Sequence, residues 1–179
     1  MQKKFSVLRS SRVLPFDEAG ALRTDLLPSL VDERTRVVAV TQASNTLGTR
    51  PDLRTVVAAA HAVGAVVVVD GCQGVVHGGV DVRAMDCDFY AFSGHKLYGP
   101  TGIGVLYGKR ELLERMPPFM GGGDMVDTVT FAKTTYAPVP LKFEAGTANF
   151  VGAIGLGEAV KFMQRFDPAE IEAHEETLL

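Results

Sequence analysis

Three polar clusters, each following an apolar strand-like run, hold the side chains with the most chemistry to offer. They are Asn45 after "VVAVTQAS", Asp70 and Gln73 in "VVVVDGCQ", and Ser93, His95 and Lys96 in "DFYAFSGHK". In open parallel sheets ligands bind beyond the carboxyl ends of the strands, so these clusters can converge on one rim. A carboxylate, two amides, a hydroxyl, an imidazole and an amine suit a phosphorylated, electron-withdrawing aromatic cofactor. Pyridoxal 5'-phosphate needs a lysine for its Schiff base and an acid opposite the pyridine nitrogen, and Lys96 and Asp70 match these two requirements. Plainer readings stand beside them. Lys96 alone would be a solvated surface lysine, Asp70 suits a turn cap at a strand end equally well, and His95 by itself would be an ordinary histidine. The glycines of "SGHKLYGPTG" favour a constrained turn with close backbone approach, and the adjacency of His95 and Lys96 favours a site.

The elements that must carry these residues can be read from apolar patterning. "VVAVTQ" (37–42) is short, β-branched and followed by turn-prone residues, as expected of a buried strand. Pro51 then opens a helix whose apolar positions Leu53, Val56, Val57, Ala60 and Val63 recur at helical spacing until Gly64. "AVVVVD" is a second buried strand, so the order is strand, helix, strand and the class is α/β with a parallel sheet. A third strand is expected over "CDFYAFS", a fourth over "GIGVLYG", a short helix from "KRELLERM", an extended stretch after "GGGD", and a helix from Val151 to about Phe166. Another helix starts at Asp167-Pro168.

At 179 residues the chain has the size of one soluble, globular domain, and a formal net charge of -3 supplies no basic field for nucleic acid. No apolar run approaches the roughly 20 residues needed to span a bilayer, and the basic start "MQKKFSVLRS" has no hydrophobic leader core, so neither membrane nor export is expected and the location is cytoplasmic. Cys72 and Cys87 lack C-x-x-C or zinc-site spacing and read as buried, inert thiols. His61, His77 and His174 lack ligand spacing and are assigned no role. Gly102 and Gly104 form a G-x-G inside a strand pattern with no third glycine opening a helix, which disfavours a dinucleotide site.

Five motifs in order, "ASNTLGT" (43–49), "VDGCQG" (69–74), "DFYAFSGHKLYGPTGIGVLYGK" (88–109), "PPFMGGGDMV" (117–126) and "FEAGTANF" (143–150), carry a family likeness. From about Val37 to Phe166 the chain resembles the cysteine desulfurases of the class V aminotransferase-like, fold-type-I pyridoxal-phosphate enzymes. The "PPFMGGGDM" stretch is most similar to the branch that mobilises sulfur for iron-sulfur cluster assembly. The resemblance implies that Lys96 holds the cofactor and then shuttles protons at the substrate carbon, and that Asp70 pairs with the pyridine nitrogen. It further implies that Gln73 and Asn45 bond the ring hydroxyl, that Ser93 and His95 bind the phosphate, and that Thr147 reaches the phosphate of the neighbouring subunit in a homodimer. The implied reaction converts L-cysteine to L-alanine and leaves sulfur as an enzyme persulfide for an acceptor protein.

By the same resemblance a further phosphate-binding threonine and a ring-stacking histidine would precede Met1, and the nucleophilic cysteine and a substrate-binding arginine would follow Leu179. Neither Cys72 nor Cys87 matches that nucleophile. The expected architecture is therefore a mostly parallel sheet flanked by helices, resembling the large cofactor-binding domain and truncated at both ends. Residues 1–166 would form part of that domain, and 167–179 the start of a helix leading to a C-terminal domain. Two alternatives stay open: a related class V enzyme such as a selenocysteine lyase or transaminase, and a non-catalytic remnant that needs a complementary chain.

Overall fold

The computed structural model describes residues 10–178; the basic amino-terminal stretch read above as lacking a leader core lies, but for Ser10, outside the described residues. In chain order the elements are α1 (Leu27–Leu30), β1 (Val37–Thr41), α2 (Leu53–Ala62), β2 (Val66–Asp70), α3 (Val82–Met85), β3 (Phe89–Ser93), β4 (Gly104–Gly108), α4 (Arg110–Arg115), β5 (Val126–Val129), β6 (Thr134–Tyr136), α5 (Phe150–Met163) and α6 (Pro168–Glu176). Strands β1 to β4 form one sheet in sequential order, and β5 with β6 forms a separate antiparallel hairpin. The pairs β1–β2 and β2–β3 are parallel and β3–β4 is antiparallel, so the sheet is mostly parallel.

The β1–α2–β2 crossover follows from its residues. Asp52 caps α2, its side chain accepting from the N–H groups of Arg54 and Thr55. The expected opening residue, Pro51, therefore sits one position before the cap. Val57 and Ala60 of α2 are buried against Val67 and Val69 of β2, with Cys87 and Tyr90 completing the core, and Val56 of the same helix is buried too. Each valine side chain so removed from water contributes about 1.5–3 kcal/mol.

The β1–β2 register sets Thr41 beside Asp70, and the β2–β3 register sets Asp70 beside Ala91. Side chains alternate between faces, so Ala39, Thr41, Val68, Asp70, Ala91 and Ser93 share the face opposite the core. That face borders an open cavity of about 540 Å³.

At the amino end of β3 a charged cluster ties three elements together. The Asp88 carboxylate accepts from the Val67 N–H at 2.7 Å, lies 2.9 Å from His61 Nε2 on α2, and meets Lys109 Nζ, just beyond β4, at 3.0 Å. Burial opposes its charge, but these partners outweigh burial and hold the carboxyl below its ordinary range. His61 thus has a structural partner, His77 Nδ1 lies 2.6 Å from Glu175 on α6, and His174 is exposed. Arg50, on the loop after β1, pairs with Glu172, and His77 lies on the loop after β2, so α6 folds back on both loops.

Two expectations need correction. Cys87 is buried but precedes β3 instead of lying in it, because the strand begins only at Phe89. Cys72 is half-buried, because it stands on the turn beyond β2 at the edge of the open cavity and outside the packed face.

Candidate functional site

Asp70 is the last residue of β2 and exposed on the open face. One of its oxygens, Oδ1, accepts from the Cys72 N–H at 2.9 Å, a local turn bond that leaves Oδ2 without a partner among the described residues. The turn-cap reading of Asp70 is therefore correct for one oxygen, while the other faces the cavity side. Cys72 Sγ lies 3.8 Å from Ser93 Oγ, which joins the exits of β2 and β3 across the rim.

The turn after β2 is packed without slack. The Gly71 N–H donates to the Ala91 carbonyl, and a Cβ at Gly71 would stand 1.9 Å from the Tyr90 ring. Val75 and Val76 donate back to Gly71 and Gln73, closing a tight coil that carries half-buried Gln73. Asn45, exposed, lies on the loop after β1, which is closed by Ser44 N–H to the Thr49 carbonyl and Gly48 N–H to the Ser44 carbonyl.

From Ser93 the chain enters a single 3-10 turn, Gly94–Leu97, that carries His95 and Lys96. Three bonds fold this turn under the rim: Gly94 N–H to the Ile103 carbonyl, and the N–H groups of Tyr98 and Gly99 to the Gly94 carbonyl. Tyr98 ends it in the left-handed region at φ 60°. Buried Leu97 anchors it from below, and α5 packs across it, with Leu156 beside Gly99 and the ring of Phe162 6.0 Å from that of Tyr98. Lys96 is consequently half-buried and His95 exposed, and neither side chain enters a hydrogen bond or ion pair among the described residues. An amine held on a fixed turn, with no carboxylate partner, is available to a ligand.

Thr147 is exposed on the loop before α5. Asn149 fixes that loop: its Oδ1 accepts from the Gly152 N–H at 2.9 Å and its Nδ2 donates to the Gly102 carbonyl at 3.3 Å. The structure thus gathers Asp70, Ser93 and the unforeseen Cys72 at one rim, continues β3 directly into His95 and Lys96, and sets Asn45 and Gln73 on the adjoining loops. No described bond ties Thr147 to them.

Sequence reading also missed Gln42 and Tyr90. The Tyr90 hydroxyl donates to Gln42 Oε1 at 2.6 Å across 48 residues of sequence. The only signal on offer was a tyrosine in an otherwise apolar strand, since a buried hydroxyl must find a partner.

Known proteins resemble this chain in sequence and in fold. A family model described as aminotransferase class-V matches residues 9–179. The cysteine desulfurase of Dickeya dadantii (strain 3937) is 56% identical over 169 residues, covering 94% of this chain and 41% of that protein. A crystal structure of a cysteine desulfurase from Escherichia coli, in S-sulfonic acid form, superposes with a TM-score of 0.84 at 52% identity, over 87% of this chain and 39% of that one. The apo structure of the Thermococcus onnurineus NA1 cysteine desulfurase gives 0.88 at 34% identity, over 93% and 42%. The chain thus spans about two fifths of the length of these relatives. With the family model matched over residues 9–179, almost from end to end, the chain belongs to the class V aminotransferase family.

Proposed function

We propose that this chain carries the cofactor floor of a pyridoxal-phosphate-dependent cysteine desulfurase, which takes sulfur from L-cysteine, releases L-alanine and passes the sulfur from an enzyme persulfide to an acceptor protein, in the service of iron-sulfur cluster assembly. The observation that carries this reading is the joint placement, at the exits of neighbouring strands, of an Asp70 oxygen and a Lys96 amine that have no partner among the described residues. Similarity to cysteine desulfurases over 94% of the chain supports it.

The residues fit the cofactor by their donor chemistry. When bound, pyridoxal phosphate supplies an electron sink that stabilises negative charge at the substrate α-carbon. Asp70, through Oδ2, would hold the pyridine nitrogen in its protonated form. Gln73 and Asn45 would donate to the ring oxygen. Ser93 and His95 would bind the phosphate, with Thr147 of a second copy completing that site in a homodimer. Lys96 would hold the cofactor covalently and, once the substrate amine displaces it, take a proton from the α-carbon and return one to the product. Lysine serves here because its primary amine is a nucleophile that condenses with a carbonyl to a Schiff base.

The test is release of L-alanine from L-cysteine by the full-length protein loaded with pyridoxal phosphate. Lys96→Ala is expected to abolish alanine release, and Asp70→Asn to reduce it by roughly a hundredfold or more while cofactor stays attached. Wild-type rates in Lys96→Ala would overturn the assignment.

A further inference from the structure

We infer that Gln42 and Tyr90 act as a positioning pair for the turn that presents Asp70 and Gln73; this rests on the functional reading above and names residues that reading does not use. Gln42 is attached at both ends. Its backbone N–H donates to the carbonyl of Asp70 itself at 2.8 Å, and its side-chain oxygen accepts from the Tyr90 hydroxyl at 2.6 Å. The Tyr90 oxygen also lies 3.3 Å from the Gly71 carbonyl. Tyr90 is 2% exposed, and burial pushes its phenol up, so the hydroxyl remains a proton donor at working pH.

The turn closes down on this pair. A Cβ at Gly71 would meet the Tyr90 ring at 1.9 Å, and a Cβ at Gly74 would meet the Gln42 carboxamide at 2.1 Å. Ring and carboxamide therefore occupy the space that side chains at 71 and 74 would need, and together they form the surface on which the Asp70–Gly74 backbone rests. Because Tyr90 and Gln42 point to the packed side while Asp70 faces the open side, neither touches the cofactor's place. Their effect passes through Asp70 and Gln73.

The experiment uses the full-length protein loaded with pyridoxal phosphate. Tyr90→Phe keeps the ring against Gly71 and removes only the hydroxyl; Gln42→Asn shortens the acceptor out of reach. Both variants are expected to keep the borohydride-reducible attachment at Lys96 and a KM for L-cysteine within about twofold, while kcat falls roughly tenfold, as for a displaced catalytic group. The pH midpoint of the cofactor's absorbance change is expected to move, because the Asp70 carboxylate no longer sits squarely on the ring nitrogen. The double variant should be no worse than either single one, since both break one bond. Unchanged kcat and an unchanged spectral midpoint in Gln42→Asn, with the parent protein attached and active, would overturn this inference alone; additive losses in the double variant would also overturn it. Absence of attachment in the parent would overturn the functional reading and this inference with it.

Discussion

Two carboxylates, one ending β2 and one just before β3, show how surroundings decide what a residue does. Asp70 ends β2 on the open face with one oxygen uncommitted among the described residues, which leaves it open to a ligand. Asp88 precedes β3 with both oxygens engaged by Val67, His61 and Lys109. Because its folded-state carboxyl is held below the ordinary value, the stability it contributes is fully present above the unfolded carboxylate range near ~4 and is lost as pH falls through the folded value. Asp88→Ala should cost about 3 kcal/mol at neutral pH, since it leaves buried donors unpaired. Urea unfolding at pH 7 and pH 3 checks both points: the deficit of the variant is expected to shrink in acid, and a pH-independent deficit would remove the ionic explanation. Asp70→Ala, by contrast, should leave the unfolding midpoint nearly unchanged and weaken catalysis.

At the scale of elements, the turn after β2 is the most tightly specified part of the rim. Gly71→Ala forces a methyl group into the Tyr90 ring, so the ring or the turn must move; a loss of about 1–3 kcal/mol is expected together with weaker cofactor binding, measured by thermal melting and by absorbance titration. Much of the scaffold was legible beforehand. The β-branched runs at 37–42 and 65–70 and the helical spacing between Pro51 and Gly64 are local signals, and they mark β1 and β2 to within one residue and α2 to within two at each end. Helix α5 likewise begins within one residue of expectation, although its end is at Met163 and not Phe166. Pairing direction was not legible: the loop after Ser93 turns back through the Gly94–Ile103 bond, which makes β4 antiparallel, and apolar content alone does not reveal that return. The β5–β6 hairpin was read only as extended chain. The Asp88 cluster and the Gln42–Tyr90 bond join residues distant in sequence, and no periodicity announces such contacts.

At the scale of the molecule, the sheet has one packed face and one face open to a cavity, and every rim residue singled out from the sequence except Thr147 belongs to the strands and loops around the exits of that sheet. Thr147 has its place in the account only through a second copy. If so, Thr147→Ala should weaken cofactor affinity in a homogeneous preparation, and mixing that variant with Lys96→Ala should restore alanine release, because the mixed dimer contains one site with both residues intact. Mixtures no more active than their components would rule out a shared site. The account as a whole stands most directly on Lys96. The measurement is borohydride reduction of the full-length protein incubated with pyridoxal phosphate, followed by peptide mass spectrometry across residues 88–109. The account predicts a yellow protein whose colour is bleached by borohydride and a single modified residue, Lys96, with no adduct in Lys96→Ala. Attachment at another lysine, or none at all, would contradict it.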